Sequence, residues 1–202
     1  MVERASALEG HDKPGRFGAP GGAGVVLSER RGLALALLSG FPEDRAAAEA
    51  AAQAALGLAL PAAGRSTCSQ AAGGARGQIL WQGPERWLLI APEGSGLIAG
   101  LEAAVAGQPA LAVTDLGHAR TVIRLEGPAA RRLLMKESPV DLSPGAFPAG
   151  SVAMTRFGHL AVTLHAVAEE TIEVLAFRSF GLALFEELCD RATELGYEVA
   201  AG

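Results

Sequence analysis

The sequence has little of several residue types that mark particular classes of protein. Its 202 residues include two cysteines and only 5% aromatic residues, and Lys13 and Lys136 are its only lysines. Cys68 and Cys189 stand far apart and form no C-x-x-C pattern, so we expect reduced or buried thiols rather than a disulfide or a metal pair. No apolar run reaches the roughly 20 residues of a membrane helix, which argues against a membrane-spanning segment.

Charge of one sign is not concentrated anywhere along the chain. The formal net charge is −5 and the arginines are scattered, so no basic stripe indicates nucleic-acid binding. The opening MVERASALEG lacks the basic region and apolar stretch of a secretory signal. We therefore expect a cytoplasmic chain that binds neither nucleic acid nor membrane. Its 50% hydrophobic and 19% charged residues are typical of a globular protein with a sizeable core.

The first 23 residues show no periodic apolar pattern. They contain the stretch HDKPGRFGAPGGAG, whose glycines and prolines predict a flexible N-terminal arm over residues 1–23. These glycines resemble a phosphate-binding loop only faintly, because no Gly-Lys-Ser/Thr ending follows and no helix opens on them.

From about residue 24 the first half predicts a strand, a helix, a hairpin, a second helix and a strand. The first helix begins at Pro42, is rich in Ala, Glu and Gln, and ends at Gly57. The glycine-rich stretch 64–77 carries at most a short strand. The predicted strands lie at 33–41 and 110–115, the hairpin at 78–92 around Gly83-Pro84-Glu85, and the second helix at 96–107.

The second half predicts a similar order of elements. The strand at 119–126 alternates, with Thr121, Ile123 and Leu125 on one buried face. Gly127 and Pro128 then turn the chain into a helix that runs to residue 136. Pro128 suits the first turn of this helix, because a backbone N–H there would have no partner within the helix.

Three strands and a helix complete the second half. The strands are predicted at 151–157, 160–167 and 171–177. Ser179 is predicted to cap a helix with one apolar stripe, which ends at Gly196 before a last short strand. In the loop that precedes these strands, we expect Asp141 to accept backbone N–H groups of the following turn.

These patterns predict an α+β fold built from two related halves, each an antiparallel sheet backed by helices. A helix of about 12 residues with one apolar stripe needs a partner surface, and a sheet face is the usual one. We expect one domain over 24–202, made of two pseudo-repeats at about 24–115 and 116–202.

Three segments resemble the family of gamma subunits of heterotetrameric sarcosine oxidase. They are DLGHARTVIRLEGPAARRLLMKESPVDLSPGAFPAGSVAMTRFGHLAVTLH at 115–165, GPERWLLIAP at 83–92 and FRSFGLALFEELCDRA at 177–192. The resemblance covers roughly 25–200 in matching order. The strand, Gly-Pro turn, helix and "VDL" succession is shared more loosely with the folate-binding fold of the glycine-cleavage T-protein and its relatives. The resemblance therefore implies the N-terminal folate-binding domain of aminomethyltransferase-like proteins.

The resemblance also implies a setting within a complex of four different chains that oxidatively demethylates sarcosine to glycine, with one-carbon transfer to tetrahydrofolate. In that family FAD, FMN, NAD and tetrahydrofolate belong to the larger subunits and zinc to the smallest. The gamma chain supports the assembly without a cofactor of its own. We therefore expect the other sarcosine oxidase subunits as partners, chiefly the large alpha chain.

No set of residues in the sequence predicts self-sufficient catalysis. The four histidines form no i, i+4 pair on a helix, and no nucleophile stands in a G-x-S-x-G turn. Asp115 and Glu173 are available acids, but neither falls in a motif that matches the family's folate-dependent acid. His118, in the stretch D-L-G-H-A-R, is either a general acid or base or a hydrogen-bonded loop or interface residue. We predict no catalytic, cofactor-binding or metal site in this chain.

Six residues are candidates for contact with partner subunits. Aromatic and arginine side chains are good interface anchors, although aromatics are more often core residues. Arg178 is expected to pair with a carboxylate, either across an interface or within the chain. The candidates are Trp81, Trp87, His118, Arg120, Arg178 and Phe180.

The leading functional hypothesis is a non-catalytic assembly subunit of heterotetrameric sarcosine oxidase. Two alternatives stay open at this point. One is a stand-alone folate-binding or one-carbon-transfer protein, and the other is a structural homodimer.

Overall fold

The computed structural model describes residues 5–69 and 77–200, and within these ranges the chain forms two sheets and four α-helices. The strands are β1 Gly15–Phe17, β2 Val25–Glu29, β3 Leu33–Ser39, β4 Ser66–Cys68, β5 Gln78–Trp81, β6 Arg86–Pro92, β7 Ala112–Asp115, β8 Arg120–Glu126, β9 Val152–Phe157, β10 Leu160–Ala168, β11 Thr171–Phe177 and β12 Tyr197–Val199. The helices are α1 Arg45–Leu56, α2 Leu97–Val105, α3 Ala130–Met135 and α4 Gly181–Ala192, with 3₁₀ turns at Pro42–Asp44, Arg178–Phe180 and Thr193–Leu195.

The chain divides into two compact units that do not follow its halves in order. The first unit joins the residues up to Arg31 to those from Ala119 onward, and the second is the continuous stretch Gly32–His118. The predicted boundary between the two pseudo-repeats, at 115/116, lies close to the end of the second unit at His118. The region 24–31, however, belongs with the later residues, because β2 pairs with β8 and β12.

The first unit is a seven-stranded sheet with helices α3 and α4 packed on one face. Its strand order is β1-β12-β2-β8-β11-β10-β9, antiparallel except for the β12–β2 pair. Alternation in β8 places Ile123 and Leu125 toward the helices, where they join Leu133 of α3 and Leu188 of α4 in one core. Val122 is also buried, at 1% exposure, so this strand is covered on both faces.

The second unit is a five-stranded sheet, β4-β5-β6-β3-β7, with α1 and α2 on one face. Helix α1 is mostly alanine, which favours helix and allows close packing, and Ala48 and Ala52 are buried against the sheet. Gly57 ends it in a left-handed conformation, φ 65°, as predicted for a glycine after a helix. Part of the glycine-rich stretch 64–77 forms β4, and residues 70–76 lie outside the described ranges.

The turn at Gly127-Pro128 is formed as predicted. Gly127 has φ 125°, and the first turn of α3 begins with Ala130 N–H donating to the Gly127 carbonyl at 3.0 Å. Ala129 N–H donates to the carbonyl of Gly24 at 2.9 Å, which ties the turn to the residue before β2. Asp141 Oδ1 accepts the Ser143 N–H at 2.9 Å, which confirms the predicted role of that carboxylate.

The predicted flexible arm is wrong for the described residues 5–23. Leu8 is fully buried in the core of the first unit, and Gly15–Phe17 pairs with β12. Phe17 stacks on Tyr197 with ring centroids 5.3 Å apart. Glycine and proline break the apolar periodicity of this segment, so the sequence gives no local sign of order. Its contacts are made instead by Leu8 and by the strand Gly15–Phe17, whose partners lie in distant parts of the chain.

The predicted cap at Ser179 is also wrong. Ser179 lies inside a 3₁₀ turn, and α4 begins at Gly181 with no side-chain hydrogen bond at its start. Gly181 packs closely here, since a Cβ at that position would lie 2.9 Å from Cβ of Ala7. Close approach of the N-terminal segment therefore shapes this helix start.

Candidate functional site

One face of the seven-stranded sheet carries a row of polar residues from neighbouring strands. Arg124 of β8 pairs with Glu173 of β11, and Glu173 pairs with His165 of β10. Side chains of directly paired residues point to the same face of a sheet. Arg30 follows β2, whose Ser28 pairs with Arg124, and its side chain reaches the same row.

Two guanidinium groups converge on one carboxylate oxygen in this row. Arg30 Nη1 and Arg124 Nη2 each lie 2.7 Å from Oε1 of Glu173. His165 Nδ1 lies 3.6 Å from Oε2, a distance longer than that of a hydrogen bond. Glu173 is fully buried, whereas the arginine side chains are 28% and 27% exposed. The cluster is thus an ion triad with a histidine beside its buried carboxylate.

The pKa of Glu173 results from opposing effects. Burial raises the pKa, but the interaction with His165, the charge of Arg30 and the hydrogen bonds from both arginines outweigh burial and lower the pKa to about 2. A carboxylate that stays ionised through the neutral range holds no proton to donate and is a weak base. Glu173 is therefore unsuited to general acid or base catalysis near neutral pH. Its ion pairs connect β8, β11 and the residue that follows β2.

A second buried carboxylate, that of Glu29 in β2, holds the N-terminal segment. Its Oε1 accepts hydrogen bonds from the Thr121 hydroxyl at 3.1 Å and the Ala7 N–H at 3.2 Å. Its Oε2 accepts hydrogen bonds from the Ser6 hydroxyl and from Arg31 Nε. Both oxygens are therefore engaged within the chain.

Sequence reasoning identified Glu173 as an available acid but missed its partners. The signal was present in TIEVLAF, where one carboxylate interrupts a buried strand, because a buried charge requires a partner. The partners lie at positions 30, 124 and 165, and only the pairing of the strands brings them together.

The two tryptophans predicted as interface candidates differ in environment. They pair directly across the β5–β6 hairpin. Trp87 is 1% exposed, its indole N–H donates to the Pro61 carbonyl at 3.4 Å, and the Arg45 guanidinium lies 5.4 Å from its ring centroid. Trp87 is thus a core residue, and its assignment as an interface anchor is corrected. Trp81 is half-buried against the same core, and its interface role stays a prediction.

Arg178 has a different partner from the carboxylate that was expected. Its Nη1 donates to the Ala5 carbonyl at 2.8 Å and its Nη2 to the Ser6 carbonyl at 3.4 Å. This side chain therefore holds the N-terminal segment in place, which corrects the expected carboxylate partner within the chain. The interface role of Arg178 stays a prediction.

Three other interface candidates remain at the surface. Arg120 stacks on Phe177 with 4.0 Å from its guanidinium carbon to the ring centroid, and burial lowers its pKa from the ordinary value. Phe177 and Phe180 are 46% and 44% exposed. His118 is exposed and belongs to the second unit. The interface roles of Arg120, Phe180 and His118 stay predictions.

Over residues 5–69 and 77–200, no group of three or more His, Cys, Asp or Glu side chains is arranged to hold a metal ion. Cys68 is exposed and Cys189 half-buried, and both are free thiols. Burial is the main cause that raises the pKa of the Cys189 thiol to about 11, so this thiol is a poor nucleophile. None of the described helices combines the length and apolar character needed to cross a membrane.

The fold is similar to that of an aminomethyltransferase. Glycine cleavage system aminomethyltransferase T from Bartonella henselae matches over 85% of this chain and 49% of its own, with TM-score 0.61 and 20% identity. At that identity the likeness shows the fold alone. The predicted α+β fold with helix-backed antiparallel sheets, resembling aminomethyltransferase-like proteins, is confirmed.

The chain belongs to the sarcosine oxidase, gamma subunit family, whose model matches residues 40–194. Sarcosine oxidase subunit gamma from Arthrobacter sp. is 39% identical over 77% of this chain and 74% of its own length. The subunit of the same name from Corynebacterium sp. strain P-1 is 37% identical over 61% of this chain and 60% of its own. A chain of heterotetrameric sarcosine oxidase from Corynebacterium sp. U-96, in complex with pyrrole 2-carboxylate, matches with TM-score 0.75 and 32% identity over 87% of both chains.

Proposed function

We propose that this chain is a non-catalytic assembly subunit of a sarcosine oxidase complex that demethylates sarcosine to glycine. The observation that carries the proposal is the match to a chain of a heterotetrameric sarcosine oxidase over 87% of both chains. A match of that extent leaves little of either chain unaccounted for. The motifs of the sequence and the structural match therefore support the same proposal, that this chain is a subunit of a sarcosine oxidase complex.

The internal pairing of the buried acids supports a supporting role rather than a catalytic one. Glu173 is held by two arginines and Glu29 by four donors, so both carboxylates are engaged within the chain. Both bind segments that are distant in sequence. Their chemistry is that of structural ion pairs and hydrogen bonds.

The proposal assigns the cofactors to the other subunits. FAD, FMN, NAD and tetrahydrofolate would belong to the larger chains and zinc to the smallest, with the large alpha chain as the main partner of this one. The proposal also places the complex in the cytoplasm. What supports these assignments is membership of the gamma-subunit family.

The experiment is gentle purification of the tagged full chain from the organism that encodes it, with native mass and visible spectrum recorded together. We expect a large hetero-complex with flavin absorbance and sarcosine oxidase activity. Deletion of this chain should then reduce assembly and turnover of the complex. A colourless species of one or two identical chains, or a deletion that leaves assembly and turnover intact, would contradict the proposal.

A preparation of the isolated chain, expressed without the other subunits, tests the stand-alone folate-binding alternative. Tetrahydrofolate is titrated into the isolated chain while the fluorescence of Trp81 and Trp87 is followed. We expect no saturable change at micromolar tetrahydrofolate. Tight saturable binding by the isolated chain would favour the folate-binding alternative over a purely supporting role.

A further inference from the structure

The face of the seven-stranded sheet that carries Glu173 has three successive rows of side chains, and the last row, at the end of the face, differs from the first two. The row of Glu173 is charged and buried, and the row beside it consists of the buried residues Val122, Leu175 and Thr163. In the end row, Arg120 stands opposite Phe177, and Ala161 stands opposite Arg156. These residues share the face of Glu173 because they lie an even number of positions from its row along each strand.

The end of this face exposes large apolar side chains. Phe177 is 46% exposed, and Phe180, three positions on in the 3₁₀ turn, is 44% exposed. Met154 of the edge strand β9 stands opposite Thr163 and is 50% exposed. We name the residues Arg120, Met154, Arg156, Phe177 and Phe180 the basic-aromatic patch. Neighbouring exposed apolar residues of this kind are typical of interaction sites.

The two arginines of the patch have no acidic partner within the described part of the chain. Arg120 is fixed by stacking on Phe177, and no carboxylate pairs with its guanidinium there. Arg156 donates to the backbone carbonyl of Gly158 at 2.9 Å and likewise has no carboxylate partner among residues 5–69 and 77–200. Arg30 and Arg124, on the same face, are both bound to Glu173. The positive charge at the end of the face is therefore available to a ligand from outside.

This positive charge contrasts with the chain as a whole. The formal net charge is −5, so acidic residues predominate elsewhere. Two copies of the chain that met patch to patch would place arginines against arginines, which opposes self-association through this surface. A surface that carries carboxylates would instead pair with both guanidinium groups.

We propose that the basic-aromatic patch is the surface by which this chain docks onto another subunit of its complex. The occupant is a protein surface that presents Asp or Glu carboxylates to Arg120 and Arg156 around an apolar contact for Phe177 and Phe180. Arginine and aromatic residues are enriched among the few residues that dominate binding energy, and bidentate pairing suits guanidinium and carboxylate. The stacking of Arg120 also fixes its orientation before binding, which lowers the entropy lost on association. This inference rests on the proposed function.

The test measures binding of the purified full chain to a preparation of the remaining subunits made without it. The variants are Arg120→Glu, Arg156→Glu and Phe180→Ser. The matched control is Arg132→Glu, at an exposed arginine on α3, the helix that packs on the other face of the sheet. Thermal melting of each isolated variant checks folding, and Arg156→Glu keeps the test valid if loss of the Arg120–Phe177 stack unfolds the chain.

We expect each patch variant to weaken binding by about 30-fold, the effect of removing a dominant interface residue, and the control to bind like the original chain. Folded patch variants that bind within about twofold of the original would overturn the docking surface while leaving the proposed function intact. Failure of the original chain to bind the other subunits would overturn both. A dimer of the isolated chain that Arg156→Glu converts to monomer would assign the patch to a second copy and overturn this proposal.

Discussion

At the scale of single residues, Glu173 is the group whose loss should have the largest electrostatic effect. It is fully buried and, among residues 5–69 and 77–200, is the only carboxylate that binds Arg30 and Arg124. Glu173→Gln keeps the shape but leaves two partly buried cations without their anion. We expect a loss of about 3 kcal/mol in the free energy of unfolding, measured by urea titration. Glu170→Gln, at an exposed acid in the turn before β11, is the control and should change stability little.

The same residue gives an expected dependence of stability on pH. The pKa of Glu173 is about 2 in the folded chain against an ordinary 4.5. Because the folded pKa is the lower of the two, its stabilising contribution is complete above about pH 4.5 and is lost as pH falls toward 2. The difference in unfolding free energy between the original chain and Glu173→Gln should shrink over that range. A difference that stays constant from pH 6 to pH 3 would contradict the ion triad.

At the scale of elements, the turn between β8 and α3 depends on the absence of a side chain at Gly127. Its φ is 125°, and a Cβ there would lie 2.8 Å from the carbonyl oxygen of Gly24. We expect Gly127→Ala to lower the free energy of unfolding by about 2 kcal/mol, measured by chemical denaturation. Gly145→Ala is the matched control, because a Cβ at Gly145 meets no atom within 4 Å. Equal effects of the two changes would show that the turn is not constrained.

The N-terminal segment is a second element whose contribution can be measured. Leu8 is fully buried in the core of the first unit. Leu8→Ala should cost about 3 kcal/mol of unfolding free energy, because the cavity adds to the lost burial. Glu9→Ala, at the exposed neighbour, should change the free energy of unfolding little. Thermal melting of both variants measures the two effects. A neutral Leu8→Ala would restore the view of this segment as an independent arm.

At the scale of the whole molecule, an acidic chain with a basic-aromatic patch should associate with its partners in a salt-dependent way. The charges that steer encounter are screened beyond about 10 Å at 0.1 M salt. We expect the association rate with the remaining subunits to fall between 50 and 500 mM NaCl, as measured by stopped flow. The double variant Arg120→Gln, Arg156→Gln should lose most of that dependence. An association rate that does not change with salt would count against electrostatic docking.

Most elements were predictable because their signals are local. The strand at 171–177 and the last strand follow from short apolar runs with flanking turns, and they form as predicted. Gly57 and the Gly127-Pro128 turn have backbone requirements that single residues reveal. Ser179 misled because a serine before an apolar stripe is typical of a cap, whereas a 3₁₀ turn and close packing at Gly181 determine where α4 begins.

The interface candidates show the limit of residue type as evidence. Trp87 and Arg178 have the chemistry of interface anchors, but one is in the core and the other binds the carbonyls of the N-terminal segment. Arg120 and Phe180 remain exposed, and Arg156 joins them only through the pairing of β9 with β10. Burial is a property of the folded environment, so the sequence predicted which side chains suit contact but not which remain available.

The sequence by itself determined the fold class, the order of helices and strands, and the family to which the chain belongs, because periodicity, turn chemistry and motif order are local properties. The tertiary structure decided the pairing of β2 with β8, the docking of residues 5–23, and the meeting of Arg30, Arg124 and His165 at Glu173. The two ion pairs at Glu173 join residues 143 and 49 positions apart, and no local pattern in the sequence fixes the register of the strands that carry them. They form only because burial of the whole sheet offsets the entropy of closing such long loops.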